Sequence, residues 1–147
     1  MQDEQRKMNI RVYRECFDIC DEVRVARSGR RIRKSDYPAA IVACADSWNN
    51  RANASIEKSG KVDRNSYTVT PALETALMRL GQIGGYRNEC KNCIGSCAES
   101  HAARAAMKSN PKVAVSDLVF SYAYRPRTKM VIRYCRNCTD AFNVSNP

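Results

Sequence analysis

No run of about 18 or more apolar residues occurs in this 147-residue chain, so nothing in it has the length of a membrane-crossing helix. The opening stretch, Met1-Gln2-Asp3-Glu4-Gln5-Arg6-Lys7, is charged and lacks the apolar segment of a secretory signal. Either the protein acts where it is made, or it is a piece cut from a longer exported polypeptide. Internal repeats and linker-like stretches are missing too, and the length suits one domain over residues 1–147. Acidic residues are the scarce charge. Fifteen Asp and Glu stand against 25 Lys and Arg, a net charge of +10 and a pI of ≈ 9.4. That excess favours polyanionic partners, nucleic acid or an acidic inhibitor protein, without choosing between them. With 44% hydrophobic residues the chain can bury a core without covalent staples.

Cysteine is what the chain has in plenty, eight in all. Cys16 and Cys20 are four apart in a helical pattern, and Cys44 sits alone in an apolar run. Cys90, Cys93 and Cys97 cluster, and Cys135-Arg136-Asn137-Cys138 forms a CxxC. A disulfide scaffold suits a shorter, loop-rich chain. Two separated clusters read more naturally as metal ligands.

Met8, Val12, Cys16, Ile19, Cys20 and Val23 recur at helical spacing and predict an amphipathic helix from about Gln2 to Arg27, ended by Ser28-Gly29. A basic patch of Arg30, Arg31, Arg33 and Lys34 follows. The apolar run Ala39–Ala45 suits a buried strand, and Asn49-Asn50 could turn it into a second strand over residues 51–57. Pro71 opens a helix over Ala72–Leu80. Alanine density predicts another helix from about Ser96 to Lys108, stopped by Asn110-Pro111. Ser116–Tyr124 alternates like a strand, and Val131–Tyr134 leads into the CxxC and a short closing helix or turn. The expected class is α/β.

Activating water at neutral pH calls for a metal with an open position and a nearby base. Zinc held by three protein ligands brings the pKa of its bound water to about 7. Zinc deaminases take one ligand two residues before a Glu at a helix start and two more from a later CxxC. Cys97-Ala98-Glu99 and Cys135-x-x-Cys138 supply these parts in that order. Side chains in the first turn of a helix point back toward its N-terminus, so Cys97 and Glu99 can reach one metal there. Glu99 would then shuttle protons between water, the ring nitrogen and departing ammonia. Cytosine becoming uracil is the default reaction, and adenine becoming hypoxanthine uses the same machinery.

The segment Cys97-Ala98-Glu99-Ser100-His101-Ala102 resembles the CAE-x-HA signature of the YwqJ-like deaminases of bacterial polymorphic toxins. Leu118–Arg127 and Tyr134-Cys135-Arg136-Asn137-Cys138 are similar to the same family. The resemblance implies a cytidine deaminase-like α/β/α sandwich, here truncated after the CxxC helix. It also implies Zn2+ on Cys97, Cys135 and Cys138, with Glu99 as the catalytic group. By the same resemblance the chain is a toxin domain exported or delivered to act in a target-cell cytoplasm and neutralised by an immunity protein. Its substrate would be single-stranded DNA or RNA, with His101, Arg125 and Arg127 as substrate contacts. Three thiolates make a more negative site than a His-containing one, so hydrogen-bond donors such as Arg104, Arg133 or Arg136 are expected near the sulfurs.

Other readings use the same residues. Ser96-x-x-Glu99 is also a capping box. Cys97, His101, Cys135 and Cys138 could close a four-ligand structural zinc site. Cys90-x-x-Cys93 with Cys135-x-x-Cys138 has the form of a zinc ribbon in a non-catalytic nucleic-acid-binding module, although the gap exceeds the roughly 15–20 residues usual there. Otherwise Cys90 and Cys93 are free thiols or a disulfide on an approach loop. Cys16, Cys20 and Cys44 read as small core residues. Trp48 and Tyr67 could stack on a base, but core or rim positions are the commoner use of such aromatics. The group Arg125, Arg127, Lys129, Arg133 and Arg136 is expected to track phosphates beside the site.

Overall fold

The computed structural model describes residues 3–46, 54–63, 65–87 and 90–147, with side chains from Gln5 onward. Trp48, the expected turn at Asn49-Asn50 and the start of the expected second strand lie outside the described residues. Helix α1 (Asp3–Ala26) buries Met8, Val12, Cys16, Ile19 and Val23, a stripe at spacings of three and four that lies along one face. Strand β1 (Ile41–Asp46) is buried along its whole length, as a central strand covered on both sides must be. Its odd-numbered residues Ile41, Ala43 and Ala45 meet α1, while Val42 and Cys44 point into the opposite core.

Strand β2 (Ser55–Lys58) pairs antiparallel with β1, Ile41 opposite Lys58. Helix α2 (Pro71–Met78) starts on its proline and buries Leu73 and Leu77. Helix α3 (Ala98–Ser109) lays Ala98, Ala102, Ala103 and Ala106 into the second core, where small side chains let it lie close to β1 and β2. Strands β3 (Leu118–Phe120), β4 (Ala123–Arg125) and β5 (Met130–Ile132) complete a five-stranded sheet in which every pairing is antiparallel. Helix α4 (Arg136–Phe142) closes the chain on the α3 side. The result is a mixed α/β arrangement, with α1 against one face of the sheet and α2, α3 and α4 against the other.

The strand expected over Ser116–Tyr124 is interrupted twice. Val115–Asp117 forms a 3-10 turn, its Asp117 carboxylate accepting from the Ala114 amide. A bulge then divides β3 from β4. Cys44 faces Phe120 but Ile41 faces Tyr124, so three steps along β1 are matched by four on its partner. The extra residue falls at Ser121-Tyr122. Ser121 Oγ accepts from the Ala43 amide at 2.9 Å, which leaves the Ser121 carbonyl to Tyr134, whose hydroxyl donates to it at 2.6 Å. The stretch that leads into the CxxC begins with strand β5. A loop from Pro126 to Lys129 folds it back on β4, with Lys129 at φ 61 and its amide on the Arg125 carbonyl.

Candidate metal centre

Two helices begin at one place. Cys97 is the N-cap of α3 and Cys135 the N-cap of α4, both with extended backbone. Unpaired amide groups at a helix N-terminus favour an anion, here a thiolate, from two directions at once. Cys138 lies in the first turn of α4 and Glu99 in the first turn of α3, so both side chains tilt back toward the same point. Cys97 Sγ stands 2.8 Å from Cys135 Sγ, which is 3.3 Å from Cys138 Sγ. Cys138 Sγ donates to Glu99 Oε2 at 3.0 Å. One ligand atom from each of Cys97, Glu99, Cys135 and Cys138 falls within 4.8 Å of all the others.

That set fits a metal. Tetrahedral metal–sulfur bonds of about 2.3 Å put sulfurs roughly 3.8 Å apart, so these sulfurs already lie within the reach of one ion. The donors present suit a thiolate-favouring ion such as zinc. Cys97, Cys138 and Glu99 are buried, and Cys135 alone is partly exposed. Contact with the Cys138 and Cys97 sulfurs holds the Cys135 thiol well below the ordinary value. A contact with Cys135 pushes the Cys97 thiol up, and burial pushes up the Cys138 thiol and the Glu99 carboxyl. These shifts favour negative charge on Cys135, the most accessible of the three sulfurs.

Several competing readings meet the geometry directly. Ser96 does not cap α3; its hydroxyl donates to the Cys93 carbonyl at 2.8 Å, and the Glu99 carboxylate faces Cys138. His101 turns away from the sulfurs, its Nε2 3.3 Å from the Gly60 carbonyl and its ring tilted beside Tyr67. Burial lowers its pKa, so it stands neutral at pH 7. Cys90 and Cys93 are free, partly buried thiols and do not join the cluster. Cys16 and Cys44 are core residues, while Cys20 is partly buried with its sulfur donating to the Pro126 carbonyl at 3.3 Å. Tyr67 is wholly buried and its hydroxyl donates to the Gly95 carbonyl.

The arginines expected beside the sulfurs are engaged or placed elsewhere. Arg104 lies over the Tyr67 ring and donates to the Ser66 carbonyl. Arg133 is exposed, and Arg136 lies 3.9 Å from Asp140. The side-chain donor to Cys135 is instead Asn92. Its carbonyl accepts from Asn137 Nδ2 at 3.0 Å, and Asn137 Oδ1 accepts from Arg87, which also pairs with Asp140 at 2.8 Å. This latch of Arg87, Asn92 and Asn137 was not legible in the sequence, because nothing in residue spacing links the α2–α3 connection to α4. Arg125 and Arg127 line a surface groove with Lys34 and Tyr37 rather than the sulfur cluster itself. Compared with known protein families, with curated proteins and with solved structures, the chain matches none.

Proposed function

We propose that this chain is a zinc-dependent deaminase acting on nucleic acid, with conversion of cytosine to uracil as its reaction. The observation that carries the reading is the meeting of three cysteine sulfurs and one buried carboxylate at two helix N-termini. When bound, a three-cysteine zinc supplies an acidified water at neutral pH. Everything else falls to the chain's own residues. Cys97, Cys135 and Cys138 hold the ion. Glu99, nine-tenths or more hidden from solvent and with a carboxyl raised by burial, is suited to take up a proton and pass it to a ring nitrogen. The burial of the cluster keeps bulk water from competing as a proton acceptor. Export or delivery as a bacterial toxin domain into a target-cell cytoplasm, with a cognate immunity protein, belongs to the same reading and rests on the resemblance carried by residues 93–142.

Glu99 also lies close enough to the sulfurs to serve as a fourth ligand, which would make the site structural. One substitution separates the two. In Glu99→Gln the enzyme reading expects zinc content of one per chain with deamination of oligonucleotides reduced at least about 100-fold. Loss of zinc together with unchanged handling of nucleic acid would assign Glu99 to the metal and remove the enzyme. Sequencing of treated single-stranded DNA and RNA reads the product, and atomic absorption reads the metal.

A further inference from the structure

Lys34 and the pair Arg125 and Arg127 are far apart in the chain, yet the fold sets them around one groove with Tyr37 in its wall. Both banks are held in place. On one, Asp36 closes the Lys34–Asp36 turn by accepting from the Arg33 amide at 2.7 Å, and it pairs with Arg27 at 2.9 Å. The Asp36 carboxylate, next in sequence but one to Lys34, is thereby engaged by Arg27 and does not line the groove. On the other, the β4–β5 hairpin is tied to α1, where Cys20 donates to the Pro126 carbonyl and Lys129 lies over the Phe17 ring. Among the described residues, Lys34, Arg125 and Arg127 have no ion pair and no side-chain hydrogen bond. Three like charges brought together without a counter-charge repel one another, and an anion in the groove relieves that repulsion.

The groove's position adds a direction. Its floor includes Ala39. The next residue, Ala40, exchanges hydrogen bonds with Ser59 at 3.0 and 3.2 Å. Gly60 then donates to the Ser96 carbonyl at 3.0 Å, immediately before Cys97. The groove, on the α1 face, and the metal cluster, on the α3 face, therefore lie at the same end of the sheet, where β1 begins. Arg30, Arg31 and Arg33, next to Lys34 in the sequence, are exposed as well. Arginine forks suit phosphate oxygens, and an aromatic wall suits an unstacked base.

We propose that this groove binds the sugar-phosphate backbone of a single-stranded nucleic acid, with Lys34, Arg125 and Arg127 as phosphate contacts and Tyr37 as a stacking surface. The choice of polymer rests on the deaminase reading, whereas the gathering of unpaired cations does not. The test uses the zinc-loaded Glu99→Gln protein and fluorescein-labelled single-stranded DNA and RNA of mixed sequence, read by anisotropy across a salt series. Reversing all three groove cations (Lys34→Glu, Arg125→Glu, Arg127→Glu) should weaken binding about 10- to 100-fold and flatten the salt slope by about 2. The same net change placed elsewhere (Arg14→Glu, Lys108→Glu, Lys112→Glu) should leave binding within about threefold if local contacts rather than bulk charge dominate. A neutral trio (Lys34→Gln, Arg125→Gln, Arg127→Gln) with wild-type zinc content and melting temperature should lose binding in the same direction, which excludes unfolding as the cause. Equal losses in the groove and control trios overturn the proposal, as does the absence of oligonucleotide binding by the starting protein. Normal binding by the groove trio overturns it while leaving deamination by the wild-type protein standing. Groove-dependent binding with no base converted by the wild type supports the groove and rejects the deaminase instead.

Discussion

Gly95, two residues before Cys97, holds φ 91, and a Cβ placed there would come within 2.9 Å of Tyr67 Cε2 and 3.3 Å of Val62 Cγ2. Tyr67 cannot retreat, because it is wholly buried and its hydroxyl is spent on the Gly95 carbonyl. Gly95→Ala should therefore cost about 2–3 kcal/mol from backbone strain and overpacking together, measured as a lower urea midpoint at constant slope. A loss under about 0.5 kcal/mol would mean that the loop shifts to make room. Proton chemistry is also decided at this scale. Contact with Cys135 raises the Cys97 thiol and burial raises the Cys138 thiol, which favours the protonated form of each. Zinc binds thiolates, so loading must expel about two protons, and affinity should fall roughly 100-fold for each unit the pH drops below 7. Competition against a chromophoric chelator at pH 6 and pH 7 measures that slope, and a pH-independent affinity would show that the sulfurs are already ionised.

At the scale of elements, the bulge at Ser121 is tied to the residue that precedes the CxxC. By replacing a backbone acceptor with its own hydroxyl, Ser121 frees its carbonyl for Tyr134, the residue just before Cys135. The end of the chain fastens the same point from the other side, since Asn146 Oδ1 accepts from the Tyr134 amide at 2.6 Å. Tyr134→Phe leaves a buried carbonyl without its donor, and a loss of about 1–3 kcal/mol in urea unfolding is expected, with weaker zinc retention. Unchanged zinc affinity in that variant would separate the bulge from the site. The elements themselves were partly readable. The α1 stripe, the apolar run of β1 and the alanine-rich α3 each bury one continuous surface, so periodicity reports them. The bulge, the 3-10 turn before it and the β4–β5 hairpin depend on partners elsewhere in the chain. Met130 and Val131 remain largely exposed on β5, which hides that strand from any pattern of burial.

For the whole molecule, a metal at this centre would join the starts of α3 and α4. Such an ion is bound by the folded chain alone, so it stabilises by mass action, about 4 kcal/mol when free metal stands at 1,000 times its dissociation constant. Chelation should therefore lower the melting temperature by several degrees and re-addition should restore it. A melting temperature indifferent to chelator would mean that the four side chains meet without holding a metal.

Residue order alone determined the ligand pattern: Cys97 two positions before Glu99, then Cys135 and Cys138 three apart, each set at the start of a helix. Those relations are local, and helix geometry converts short spacings directly into shared direction. Only the tertiary structure decided that the two sets meet, that His101 turns to Gly60 instead, that Asn92 takes the place expected for an arginine, and that Lys34 faces Arg125 and Arg127 across a groove. Each of these depends on how sheet register and a one-residue bulge bring distant segments together, and no local preference of the chain encodes that distance.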